Sequence, residues 1–125
     1  MKDLKKYFII TEEPEIIYQA LTNPMTLKLW TGEEAIMSTE PESEFSLWNG
    51  SIEGKNIAFE EGKKIVQQWY FDGQDEPSIV TIILHPHKHG TSAELRHTNI
   101  PDEVFEEMEE GWTHNYFRSL MEVYE

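Results

Sequence analysis

PDEVFEEMEEGWTHNYFRSLMEVYE, residues 101–125, is the stretch on which the fold turns. Phe105, Met108, Trp112, Tyr116 (or Asn115), Leu120 and Val123 recur at helical spacing and form one broad apolar stripe. Pro101 suits a first turn, and Asp102, Glu103, Glu106 and Glu107 place negative charge at the positive end of the helix dipole. A helix of about 24 residues is roughly 36 Å long, enough to cross a small domain. Its stripe has to be covered, and the preceding residues supply the cover.

Those residues read as strand after strand. Leu4–Ile10 is a first strand. Thr11 is placed to cap a short helix that runs to about Leu21, with Pro14 in its first turn and Ile17, Ala20 and Leu21 on one face. Asn23-Pro24 breaks it, and a second short helix (about 25–30) ends near Thr31-Gly32. Six strands are expected next: Ala35–Ser38, Glu44–Trp48, Ser51–Phe59, Lys63–Phe71, Ser78–His85 and Thr91–Thr98. Pro41-Glu42, Asn49-Gly50, Glu60-Glu61-Gly62, Asp72-Gly73 and the residues before Gly90 are the turns, short enough to make neighbours antiparallel. In Lys64–Phe71, residues Ile65, Gln67, Trp69 and Phe71 share a face; in Thr91–Thr98, Ala93, Leu95 and His97 oppose a wet face of Ser92, Glu94 and Arg96. Ile79–Leu84 is apolar on both faces and belongs at the centre. The expected class is α+β: a curved antiparallel sheet of about six to seven strands around the long C-terminal helix, in one domain spanning residues 1–125.

Three groups of residues carry a closer resemblance: Phe45-Ser46-Leu47-Trp48-Asn49-Gly50-Ser51-Ile52-Glu53-Gly54-Lys55-Asn56, then Gly62–Trp69, then Gly90-Thr91, Ile100-Pro101 and Glu110–Phe117. In this order they resemble the helix-grip superfamily, also called START-like or SRPBCC. Within it the chain is similar to the family of the C-terminal domain of the activator of the heat-shock-90 chaperone ATPase. The resemblance implies a cavity between sheet and helix, and the heat-shock-90 chaperone as a partner. The eukaryotic activator has a separate N-terminal domain, which residues 1–125 leave no room for. Where the family commonly has a basic residue after the tryptophan matching Trp69, this chain has Tyr70.

Composition narrows the function. Twenty-four acidic against ten basic residues give a formal charge of −14, a field that repels phosphate backbones and anionic membranes. No nucleic-acid or membrane partner is expected. The absence of cysteine excludes disulfides and thiolate chemistry and suits a reducing cytoplasm. The N-terminal apolar run is too short for a signal peptide, so a cytoplasmic location is expected.

Candidate chemistry is sparse. His85-Pro86-His87-Lys88-His89 offers three imidazoles in five residues, but Pro86 and Gly90 mark a hairpin turn with no adjacent carboxylate; a solvated turn is expected, with no metal and no cofactor. No carboxylate spacing selects an acid/base pair, and the six carboxylates of Asp102–Glu110 read as a wet helix face. His97 either lines a cavity, where it would bind or protonate a ligand, or is a satisfied core group. Glu53, Asn56 and Gln67 are further candidate polar spots in the concavity. The expected cavity set is Trp30, Phe45, Trp48, Gln67, Trp69, Ile83, Leu95, His97, Met108, Trp112 and Tyr116, with no catalytic residue. Three functions compete: non-enzymatic binding of a lipid-like or polyketide-like molecule, a stress-related co-chaperone-like adaptor, and a cyclase- or hydrolase-like enzyme using His97.

Overall fold

A computed structural model describes residues 1–74 and 76–124. Six strands form one antiparallel sheet in the order β1-β6-β5-β4-β3-β2: β1 (Lys2–Ile10), β2 (Glu44–Leu47), β3 (Ile52–Glu60), β4 (Lys64–Trp69), β5 (Ser78–His87) and β6 (Gly90–Ile100). Two helices, α1 (Pro14–Thr22) and α2 (Pro24–Thr31), intervene between β1 and β2. After a 3-10 turn at Asp102–Val104 the chain closes with α3 (Phe105–Glu110), a π-helical segment (Gly111–Tyr116) and α4 (Phe117–Val123). This is the expected α+β arrangement of a curved sheet around a C-terminal helix.

Strand parity sets the core. The register pairs Leu95 with Ile82, His97 with Val80, Ile65 with Ile82 and Gln67 with Val80. One face therefore collects Ala93, Leu95, Val80, Ile82, Leu84 and Ile65, all buried, and the helices cover it. α1 contributes Ile17, Ala20 and Leu21, as its periodicity required. α2 is capped by Asn23, whose side chain accepts from the Met25 N–H at 2.9 Å, and ends at Gly32 with φ +80°.

Three local expectations are corrected. Thr11 does not cap α1: Pro14 at the first helical position makes Glu13 the cap, and the Thr11 hydroxyl instead donates to the Tyr124 carbonyl at 2.7 Å. Ala35–Ser38 is not a strand but one bridge, Ile36 with Ser46. The chain turns away after it, and the Ser38 carbonyl is taken by Asn56 Nδ2 at 3.1 Å. Glu94 lies on the outer face with Arg96, as parity requires, but it is not solvated there. Its carboxylate is 6% exposed among the side chains of His85, Arg96 and Lys5, accepting from His85 Nε2 at 2.8 Å and Arg96 Nε at 2.5 Å. His85 above all, then Arg96 and Lys5, holds it below the usual carboxylate range against the opposing effect of burial.

Gly54 is where β2, β3 and β4 meet most closely. A Cβ there would lie 2.0 Å from the Gln68 carbonyl oxygen and 2.7 Å from the Phe45 ring. The ring can move but the backbone oxygen is held in the ladder. Gly54→Ala is therefore expected to destabilise by about 2 kcal/mol, read as a lower urea midpoint at unchanged slope.

Candidate functional site

Where the β2–β3 turn, the end of β4 and the C-terminal helix converge, they leave a half-open groove of about 670 Å³. Trp48 and Ile52 form one wall, Trp69 and Phe71 the base, and Val104, Met108, Trp112 and Tyr116 the helical wall. Glu53, Glu107, Asn115 and Ser119 add polar groups, and among the described residues no Lys, Arg or His lines it.

Each wall has a local cause. Trp48, Asn49 and Gly50 take φ values of +50°, +54° and +88°, a run of left-handed residues. For Trp48 that conformation costs about 1–2 kcal/mol. Packing over-determines it: the indole N–H donates to the Thr31 carbonyl at 3.1 Å, and the ring meets Trp30 edge-on at 5.8 Å and Tyr116 at 6.1 Å. On the helical wall, the Phe117 N–H reaches back five residues to the Trp112 carbonyl, which defines the π segment. The wider turn carries both Tyr116 and Phe117 inward, so Phe117 is fully buried and stacks on Phe8 at 4.1 Å. A regular helix would have turned one of them outward.

Beneath the groove the aromatic rings are wired to polar side chains. Trp69 and Trp112 stack at 4.6 Å. The Trp112 indole donates to His97 Nδ1 at 3.0 Å, which places the His97 proton on Nε2, 2.8 Å from Ser78 Oγ; Ser78 in turn donates to the Thr98 carbonyl at 2.9 Å. Both ring nitrogens are committed, and burial pushes the His97 pKa down to about 4. His97 is therefore a neutral, satisfied core group. Trp69 donates to Gln67 Oε1 at 3.1 Å, and Gln67 Nε2 to Asn56 Oδ1 at 3.0 Å. Trp30 donates to the Ala20 carbonyl at 2.7 Å. All four indole N–H groups thus have partners inside the protein.

Of the expected set, Trp48, Trp69, Met108, Trp112 and Tyr116 line the groove. Trp30 backs Trp48 and Tyr116, Phe45 lies under Gly54, and Gln67 and His97 hold the two base tryptophans from behind. Leu95 is core. Ile83 is misplaced: strand parity puts it opposite Glu94 on the outer face, out of step with Val80, Ile82 and Leu84. Ile52, Phe71 and Val104 were missed. Phe71 shares parity with Ile65 and Trp69, a signal that was available. The His85–His89 hairpin brings the His87 and His89 rings to 5.5 Å, and the Glu94 carboxylate does lie beside His85. Among the described residues no group of three His, Asp or Glu is arranged to hold a metal ion. No helix among them is long and apolar enough to cross a membrane.

A curved antiparallel sheet gripping a C-terminal helix, with a groove between them, defines a START-like helix-grip domain. Comparison with known proteins narrows this class. The chain belongs to the family described as "Activator of Hsp90 ATPase homolog 1-like protein", whose model matches residues 12–125. It is 36% identical over 105 residues to the "Activator of 90 kDa heat shock protein ATPase homolog" of Dictyostelium discoideum, covering 82% of this chain but 27% of that protein. It is 28% identical over 67 residues to an uncharacterised protein of Schizosaccharomyces pombe, covering 54% of this chain and 20% of that protein. The chain thus spans about a quarter or less of the length of these curated relatives. Among solved structures, a Plasmodium falciparum protein described as an HSP90 activator superposes with a TM-score of 0.83 at 26% identity, covering 98% of this chain and 94% of that one. A protein from the dynemicin biosynthetic locus shares the fold alone, at 13% identity and a TM-score of 0.78 over 95% of this chain and 46% of that one.

Proposed function

We propose that this domain is a non-enzymatic binding module that takes a hydrophobic small molecule, lipid-like or polyketide-like, into the groove between its sheet and C-terminal helix. The observation that carries this reading is the groove itself: about 670 Å³ with aromatic walls, inside the range of roughly 300–1,000 Å³ usual for ligand sites. Trp69→Ala and Trp112→Ala are poor tests because both rings are core. Met108 is half-buried on the helical wall, and Met108→Trp fills the space. The variant is expected to weaken binding of a neutral apolar fluorophore about tenfold with little change in melting temperature. Native mass spectrometry of freshly purified protein is expected to show extra mass that vanishes on denaturation. A bare native mass together with unchanged affinity in Met108→Trp would refute the reading.

The relatives favour a second reading, in which the domain also docks on the heat-shock-90 chaperone in the cytoplasm. With a formal charge of −14, such docking is expected to weaken as salt rises. A pull-down at low ionic strength with no chaperone enrichment would remove it. No catalytic step is assigned: the one histidine named for it sits behind Trp112 with both nitrogens committed.

A further inference from the structure

Resting on the groove reading above, we propose that the site selects an uncharged or cationic aromatic molecule bearing a hydrogen-bond acceptor, to which the Tyr116 hydroxyl donates, and that it rejects carboxylate and sulfonate amphiphiles.

The groove has few ways to recognise polarity. All four indole N–H groups are engaged within the protein, so the tryptophans offer only apolar rings and edges. Tyr116 differs. It lines the groove and is 5% exposed, and no group among the described residues hydrogen-bonds its hydroxyl. The ring is fixed from all sides: Trp112 lies at 4.6 Å, Trp30 at 5.0 Å, Phe117 at 5.2 Å and Trp48 at 6.1 Å. Burial also pushes its pKa well above the ordinary tyrosine value, so the group is a protonated donor at neutral pH. The hydroxyl is not sealed from solvent, so water can meet it at the groove; a ligand acceptor replaces that hydrogen bond, whereas a plain hydrocarbon displaces the water and returns nothing.

Charge is the second filter. Glu53 and Glu107 stand at the groove, no cation balances them there, and the whole chain carries −14. A fatty acid or other anionic amphiphile would bring its head group to this rim with no Lys or Arg to meet it. The walls suit rings: Trp48, Trp69, Phe71, Trp112 and Tyr116 present edges and faces for aromatic packing.

Two matched pairs of probes test this. Phenylnaphthylamine and anilinonaphthalene sulfonate share one skeleton and differ by the sulfonate. By fluorescence titration at low salt the neutral probe is expected to bind at least about tenfold more tightly. The double variant Glu53→Gln/Glu107→Gln should narrow that gap. Acetylnaphthalene and ethylnaphthalene differ by the carbonyl acceptor. The wild type is expected to favour the ketone, and Tyr116→Phe to erase the preference by about tenfold while leaving the ethylnaphthalene affinity unchanged. Saturable binding with equal affinity for both members of each pair, or a ketone preference that survives Tyr116→Phe, overturns the selectivity alone. Absence of saturable binding by all four probes removes the groove reading with it.

Discussion

Trp112→Ala is expected to lower stability by about 4 kcal/mol, enough to move the thermal midpoint by roughly 15 °C in a domain of this size. Three losses coincide at this residue. The indole is 2% exposed, so its removal leaves a large cavity under the helix. Its stack with Trp69 at 4.6 Å disappears. And His97 Nδ1, buried and accepting only from this indole, is left without a donor. Trp112→Phe separates these terms. It keeps a ring against Trp69 and loses the donor, and is expected to destabilise by about 1–2 kcal/mol. Urea titrations of the three proteins at neutral pH check this. If Trp112→Phe were as damaging as Trp112→Ala, the hydrogen-bond chain rather than ring volume would dominate.

The sequence exposes Trp112 as core because its spacing from Met108 and Tyr116 is helical, and it groups Trp69 with Ile65 and Gln67 on one face of β4, which the structure shows to be the buried one. Period alone is enough for the first and gives the second its face. It fails where the local geometry departs from the period. Phe117 falls outside a regular helical stripe and is buried only because the π segment rotates it inward. The same shift leaves Val123, at the end of the expected stripe, 40% exposed.

Parity gives each strand two faces but not the way they are matched across a sheet. Ile83 was placed in the cavity because β5 is apolar on both faces; only the register, pairing His97 with Val80, shows which face is concave. Glu94 was placed in water for a related reason. Its burial depends on His85, nine residues away across a hairpin, and on Lys5 from another strand. The groove wall at Trp48 was legible in part: Asn49-Gly50 announces a turn, but the left-handed φ of the tryptophan before it depends on contacts with Thr31, Trp30 and Tyr116. Local chemistry thus specified the elements, and contacts distant in sequence specified the site.

The same network should make stability depend on pH in a window that belongs to one residue. His97 would ordinarily titrate near 6.5, and burial pushes it to about 4 in the folded protein. Its ring neighbours are Trp69, Phe71 and Trp112, and its nitrogens meet only Ser78 and Trp112, none of which changes charge there. Below pH 6.5 the unfolded chain therefore binds a proton that the folded chain refuses until about pH 4. The contribution is fully present above 6.5 and is lost as pH falls through the window. From pH 7.5 to 4.5 the loss is about 2.5 kcal/mol. His97→Gln keeps an acceptor for Trp112 and a donor for Ser78 but cannot titrate, so its urea midpoint should lack this component. The Glu94 carboxylate, held low by His85 and Arg96, begins its own loss as pH falls through the ordinary carboxylate value of 4.5, and does so in both proteins, so the difference between them isolates His97. Parallel midpoints for wild type and His97→Gln across the window would show that His97 is protonated in the fold. A proton on Nδ1 would also expel the Trp112 N–H, and with it the stacked wall of the groove. Affinity for a neutral apolar probe should then decline only as the folded protein itself takes up the proton, around pH 4, at the lower end of the range over which stability is lost, and that order ties the buried histidine to the site it supports.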